Sequence, residues 1–300
     1  MSTSPMQCLL CGGPPPLVEG HLIPDFAVRR LKKDGPSGFL RGENPNRRIQ
    51  DGVKEPLLCP DCDNRRFSDA ETSFANRIFH PFLDDRAHEF DCTEADRYFV
   101  ASLAWRAIVS RLRTRTTGDF DYLPDEVAAM EEAAGRLRLY LLGAQQYPEE
   151  IEQHIFFCGP DGHGQFLGLN AYLNMANDLQ IIGRHDRLYA LAILSGVVIA
   201  SLLRIPADSL SEWRYDTLLI PGERIRAGGQ TIADRIFGGI LAARAEALYK
   251  SRDQMSERQR AKLRDALRDV DWERVAASRQ GRALIRDHLN SEARDADESG

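Results

Sequence analysis

Four cysteines come as two pairs, Cys8/Cys11 and Cys59/Cys62, each with two residues between its members. That spacing lets both sulfurs of a pair reach one Zn²⁺, and two such pairs complete a closed tetrahedral site. With no export signal at the start of the chain, paired C-x-x-C units point to metal before disulfide. Four sulfurs leave no open coordination position, so the zinc expected here is structural rather than catalytic. The 47 residues between the pairs hold His21, in the run His21-Leu22-Ile23-Pro24, and a basic stretch of Arg29, Arg30, Lys32, Lys33, Arg41, Arg47 and Arg48. Only Asp34 and Glu43 oppose those cations. An imidazole with a pKa near operating pH is suited to moving a proton. A basic loop on an acidic protein suits a polyanion. Two blander readings stay open: His21 braces the knuckle or is a spare zinc ligand, and the loop is solvated or docks on the acidic C-terminal half. Cys92 and Cys158 stand alone and read as small buried residues.

These residues need elements to hold them. The chain has 300 residues, 43% hydrophobic and 28% charged, with net charge −6. This is the composition of an ordinary soluble globular protein with ample core and no need of a disulfide framework. The longest apolar run, Leu188 to Leu203, contains Ser195 and Gly196 and falls short of the ~20 residues of a membrane span. It reads as strand, turn, strand or one buried helix, and the expected compartment is the cytoplasm, with no membrane contact. The first ~90 residues are broken by turn signals at Pro14-Pro15-Pro16, Gly35-Pro36, Asn44-Pro45 and Asp51-Gly52, and a metal staple would steady such a segment. Ser68-Asp69-Ala70-Glu71 is a capping-box pattern, predicting a helix from Ser68 to about His80, before Pro81, with Phe74, Ile78 and Phe82 on one face. Further helices are expected at about 93–114, with Thr93-x-x-Asp96 as its start, and at about 125–142. The two are expected to pack as a hairpin around the cysteine module. Ile155 to Cys158 and Thr217 to Ile220 read as strands. Helices are expected at 231–249 and, at least two of them, at 256–289.

One resemblance follows from these residues. Cys8-x-x-Cys11, His21-Leu22-Ile23-Pro24 and Leu57-Leu58-Cys59-x-x-Cys62 followed by Asp63-Asn64 resemble the HNH nucleases (the His-Me-finger or ββα-metal class), in the subset braced by two cysteine pairs. The stretch also resembles uncharacterised bacterial proteins with HIIP-type N-terminal modules. The HNH resemblance covers residues 8 to about 80. It implies a hairpin whose first strand ends at the histidine, a helix after the second cysteine pair and a divalent cation between them. Hydrolysis of a phosphodiester needs a base to activate water and a cation to neutralise developing charge. The resemblance makes His21 the base and Asp63 or Asn64 oxygen ligands of Mg²⁺ or Mn²⁺, with Arg29, Arg30, Lys32, Lys33, Arg47 and Arg48 holding nucleic acid, DNA first. Three positions depart from the pattern, the first being Asp63, which stands directly after the second pair where the family usually has histidine or asparagine. Gly20 stands where many members have an acidic ligand, and Asp51 is the nearest polar residue to where many have an asparagine that orients the histidine.

The expected protein is α+β: an N-terminal zinc-stapled ββα-like module (1–90), a helical middle (91–147), a small antiparallel sheet with C-terminal helices (148–290) and a disordered tail (291–300). The expected function is an HNH-like metal-dependent endonuclease. The alternative is a non-catalytic zinc module that binds nucleic acid or protein. His80, His88, His154, His163 and His185 read as surface or satisfied core histidines, and Trp105, Trp213 and Trp272 as core. No Walker, Rossmann or nucleophile-elbow pattern is present.

Overall fold

A computed structural model describes residues 7–36, 40–42, 44–114, 122–162, 166–184, 186–213 and 215–298. His163 and His185 lie outside them. The fold is α+β, helix-rich with small antiparallel sheets.

The run Leu188 to Leu203 forms two strands. β8 (Arg187–Leu194) and β9 (Val197–Arg204) pair antiparallel about Ser195 and Gly196, whose φ values of 47° and 110° are both positive. A two-residue hairpin loop needs that left-handed backbone to match the twist of its strands. With β6 (Gln153–Phe157) and β7 (Asn177–Arg184) they make a four-stranded sheet in the order β6-β9-β8-β7. Both faces are covered, which is why the run is apolar throughout rather than alternating. Ala192, Leu194, Val197 and Ile199 face Phe74, Phe79 and Phe99, while Tyr189, Leu191, Ile193 and Val198 face Trp213, Phe237 and Leu241.

The N-terminal segment folds into β1 (Val18–His21), α1 (Asp25–Asp34), a small hairpin of β2 (Leu40–Arg41) and β3 (Arg48–Ile49), and β4 (Lys54–Leu58). β1 and β4 pair antiparallel, with His21 opposite Lys54. A helical run starts in the second cysteine pair and includes a π-helical turn Cys62–Phe67, α2 (Ser68–Phe74), a second π turn Ala75–Phe79 and α3 (His80–Leu83). The helix therefore starts within the second cysteine pair, at Pro60, not at the expected cap Ser68. Asp61 already has helical dihedrals, so the turn between the cysteines launches the helix and the local signal at Ser68 is overridden. The run also passes Pro81 and ends at Leu83. Pro81 falls in the first turn of α3, after a π turn, where a missing N–H is tolerated. Phe74, Ile78 and Phe82 are all buried, as their spacing predicted.

After β5 (Glu89–Asp91), α4 (Glu94–Thr114) is capped as expected: the Thr93 backbone N–H donates to Asp96 at 2.8 Å, and the Asp96 N–H reaches back to Thr93 Oγ1. α5 (Pro124–Leu141) packs on it, and the shared core includes Leu10, Leu57, Phe67, Trp105 and Leu137. A short α6 (Leu169–Met175) leads into β7. Thr217 to Ile220 is not the expected strand. It is a 3-10 turn at Tyr215–Thr217 and a single bridge from Leu218 to His154, and the extra pairing comes instead from β10 (Arg224–Arg226) against β5. The C-terminal helices are α7 (Arg235–Ser251), α8 (Glu257–Ala266), α9 (Trp272–Ala277) and α10 (Arg279–Glu298). α10 is helical through most of the segment whose composition predicts disorder; its leucine, alanine, arginine and glutamate content favours helix. Trp272 is 54% exposed, unlike buried Trp105 and Trp213. Cys92 and Cys158 are buried as expected.

Asp234 ties the sheet to α7. Its Oδ1 caps the helix through the N–H groups of Ile236 and Phe237, and its Oδ2 takes Arg187 Nη1 at 2.7 Å, Tyr189 Oη at 2.7 Å and Trp213 Nε1 at 3.1 Å. Burial favours the neutral acid, but these donors outweigh it and hold the carboxyl below its ordinary value. A carboxyl depressed on folding stabilises the protein fully above its unfolded value, about 4, and that contribution fades as pH falls through the lower folded value. Asp234→Ala should cost about 3–5 kcal/mol, because it removes the cap of α7 and leaves buried Tyr189, Trp213 and one edge of Arg187 without their shared acceptor. In urea titrations the gap between wild type and Asp234→Asn should be widest at pH 7 and close below pH 4.

Candidate functional site

The N-terminal knuckle turns at Gly12, with φ of 76°, and Gly12 N donates to Cys8 O at 2.8 Å. Leu9 N donates to Leu57 O, which fixes the first cysteine pair beside the second. The sulfurs of Cys8, Cys11, Cys59 and Cys62 all lie within 4.8 Å of one another, close enough to bind one metal ion. Cys11 Sγ and Cys59 Sγ are 3.8 Å apart. Tetrahedral Zn–S bonds of about 2.3 Å put sulfurs roughly 3.8 Å apart, so the donor set fits zinc. Burial would push the Cys8 thiol up, but backbone N–H groups around it bring it down to about 7. Burial and the neighbouring sulfurs push Cys62 up.

Closure across 48 positions constrains the unfolded chain as a cross-link does, worth about 4 kcal/mol on a chain-entropy account. The purified protein should hold one zinc per chain by elemental analysis. Cys59→Ser should lose the metal and lower Tm by about 6 °C.

The same closure brings β1 and β4 together and fixes His21 at the strand end. Its ring hydrogen-bonds neither Asp63 nor Asn64, although its charge acts on Asp63. His21 Nε2 lies 2.7 Å from Asp51 Oδ1, and Asp51 Oδ2 lies 2.7 Å from Lys54 Nζ. Gly52 N also donates to Asp51 Oδ1. Lys54 first, and His21 next, hold the Asp51 carboxyl well below the usual carboxylate range. Pro24 then starts α1, whose first residue, Asp25, completes a group of three with His21 and Asp51; one ligand atom from each lies within 4.8 Å of the others. His21 is 21% exposed in its side chain, so the group opens to solvent. Asp51 also forms part of the wall of an apolar cleft of about 460 Å³, with Val53, Tyr172, Met175 and Leu248 among its lining.

Asp63 is on the other side of β1. A Cβ placed on Gly20 would sit 2.8 Å from Asp63 Oδ1, whereas the next residue's ring packs on Gly52 and Asp51. Successive side chains of a strand point to opposite faces, and the two acids have been sorted accordingly. Burial raises the Asp63 carboxyl, and the charge of Arg106 pulls the other way. Arg106 is 3% exposed. It donates to the His21 carbonyl at 3.1 Å and pairs with Glu71 at 2.9 Å. Asn64 is exposed. Neither Asp25 nor Arg106 stood out in the sequence; Asp25 follows the His-Leu-Ile-Pro run directly, and that adjacency was the available signal.

Of the basic residues, Arg29, Arg30 and Lys33 line one cavity. Arg29 pairs with Asp25, Arg30 is held by Asp34 and Asp84, and Lys32 donates to Gln50 O. Lys33 and Arg47 are exposed, and Arg48 is half-buried in β3. The loop between β2 and β3 docks on the C-terminal half, where Asn46 bonds Gln254 O and Ser256 N. His154 is a satisfied core histidine against Thr217 Oγ1, and His88 is exposed. No family model matches the chain, and neither does any curated protein or solved structure.

A Cβ at Gly20 would press on the carboxylate end of Asp63, which would have to turn aside. Gly20→Ala should destabilise by about 1–3 kcal/mol through overpacking. Combining it with Asp63→Ala should recover most of that loss, a non-additivity of the kind expected for touching residues, read from denaturant midpoints.

Proposed function

We propose that the N-terminal module is a metal-dependent phosphodiesterase of the HNH type acting on nucleic acid, with His21 as its base. The observation that carries this reading is the 2.7 Å pairing of His21 Nε2 with Asp51 at the open end of a hairpin that leads, through the second cysteine pair, into a helix. An ionised carboxylate only accepts hydrogen bonds. Asp51 therefore keeps the proton on Nε2 and leaves Nδ1 to take a proton from water. Lys54 and Gly52 engage the rest of Asp51, so its role is positioning. Asp25, with one oxygen on Arg29, is the carboxylate beside the imidazole best suited to a divalent cation. Asp63, drawn under Gly20 beside the Arg106 charge, fits that role less well than the resemblance implies. A bound Mg²⁺ or Mn²⁺ would neutralise charge on the phosphate and leaving oxygen.

A second reading has its own observation. Arg106 supplies positive charge beside Asp63 and Glu71, where the family would hold its cation. On that reading the module is a zinc-stapled binding unit without turnover.

The test is cleavage of single- and double-stranded DNA and of RNA by the zinc-loaded protein with Mg²⁺, Mn²⁺ or chelator. Cation-dependent cleavage is expected, falling about 10²–10⁴-fold in His21→Ala while the zinc stays bound. Asp25→Asn should raise the cation concentration needed. Absence of cation-dependent cleavage, or full activity in His21→Ala, would favour the binding unit.

A further inference from the structure

A second cavity lies on the far side of α1 from the apolar cleft. It measures about 460 Å³ and is lined by Phe26, Arg29, Arg30, Lys33, Asn76, His80, Asp84 and Arg86. Four full cations face it, and Asp84 is the single carboxylate of its lining. Asp84 is shared between Arg30 and Arg86, and Asp34 takes the other edge of Arg30. Among the described residues Lys33 has no carboxylate within ion-pair distance, and its side of the cavity is exposed. Arg29 is paired with Asp25, so Asp25, Asp34 and Asp84 offset most of the positive charge, and the excess is carried by Lys33. Phe26 and His80 stand edge to face, their ring centroids 6.3 Å apart, and give the cavity an aromatic wall. Burial and the charges of Arg30, Arg86 and Lys33 hold the His80 ring below its ordinary pKa, as a positive cavity requires.

Guanidinium groups bind phosphate oxygens in pairs, and lysine adds a point charge. A planar ring beside them suits a sugar or base. We infer that this cavity binds a phosphoryl group, and that in a nucleic-acid strand it takes a phosphate a few nucleotides from the one at His21. The geometry of α1 supplies the spacing. Asp25, Arg29 and Lys33 recur every fourth residue on one face, so Lys33 lies about two turns, roughly 12 Å, from Asp25. Charge, size and the aromatic wall favour phosphate over a simple anion.

The inference rests on the phosphodiesterase reading for its nucleic-acid strand, but it is measured as binding, so each can fail alone. The probes are inorganic phosphate, a 5′-mononucleotide and a short single-stranded oligonucleotide with and without a 5′-phosphate. They are titrated into full-length zinc-loaded His21→Ala protein in chelator-free buffer without Mg²⁺. Lys33→Ala with Arg86→Ala removes two exposed cations of the cavity, and Arg268→Ala removes an exposed cation elsewhere. The double variant should weaken the oligonucleotide by about tenfold and flatten the salt dependence by about one unit of slope or slightly more; Arg268→Ala should do neither. If phosphate and mononucleotide binding fall in the double variant but oligonucleotide binding does not, the phosphoryl site stands and its ligand is a free phosphate compound. If the double variant and Arg268→Ala behave alike for every probe, the inference is overturned. Retained oligonucleotide binding with no cleavage by the wild type would overturn the catalytic reading alone.

Discussion

Four sulfurs gathered at one point set the geometry of the N-terminal half. They hold the first knuckle against β4, align β4 with β1, and turn the chain into a helix within the second cysteine pair. None of these elements is long or apolar enough to form alone. β1 has four residues, and β2 and β3 have two each. A metal held by these four sulfurs would supply the local stability that such a segment lacks. The rest of the molecule supplies the floor on which the module rests. α4 lies beneath it, and Arg106, Ser110 and Arg113 reach up to the hairpin through the His21 carbonyl, Glu55 and the Pro56 carbonyl.

That floor comes from the apolar sheet. β8 and β9 are covered on both faces, once by the phenylalanines of the helical run after Cys62 and once by Trp213 and α7. One cluster of buried side chains thus runs from Ile23 to Ile225. The candidate site is built on loops and strand ends over this core. Rigid support with open loops above it is the arrangement in which a polar group can stay reachable while its backbone is fixed.

Much of this was legible. Two C-x-x-C pairs, a sixteen-residue apolar run with Ser-Gly at its centre, and the weaker Thr93-x-x-Asp96 start are local signals, and each has its counterpart in the fold. The helix from Pro60 was read late because its start is set by the knuckle, and Ser68 offered a local cap that tertiary geometry had no use for. β5 and β10 were unreadable: each is three residues long, and they pair across more than 130 positions. Arg106 was unreadable for a different reason. It sits in the middle of an apolar helix face, and its meaning depends on Glu71 and the His21 carbonyl, which only the folded chain brings near.

The candidate site shows how one missing side chain redirects chemistry. At Gly20 the strand has no Cβ, and Asp63 fills the space from the helix side, where burial and Arg106 claim it. A carboxylate so placed is half-buried, so an ion there would have to compete with the nearby charge of Arg106. On the opposite face of the same strand, His21 meets two carboxylates that remain partly open to solvent, Asp25 and Asp51. Strand alternation keeps the two groups apart. Polar chemistry at the end of β1 is therefore concentrated on the His21 face, and α1, which carries Asp25 at its start and Lys33 near its end, links that face to the cationic cavity beyond.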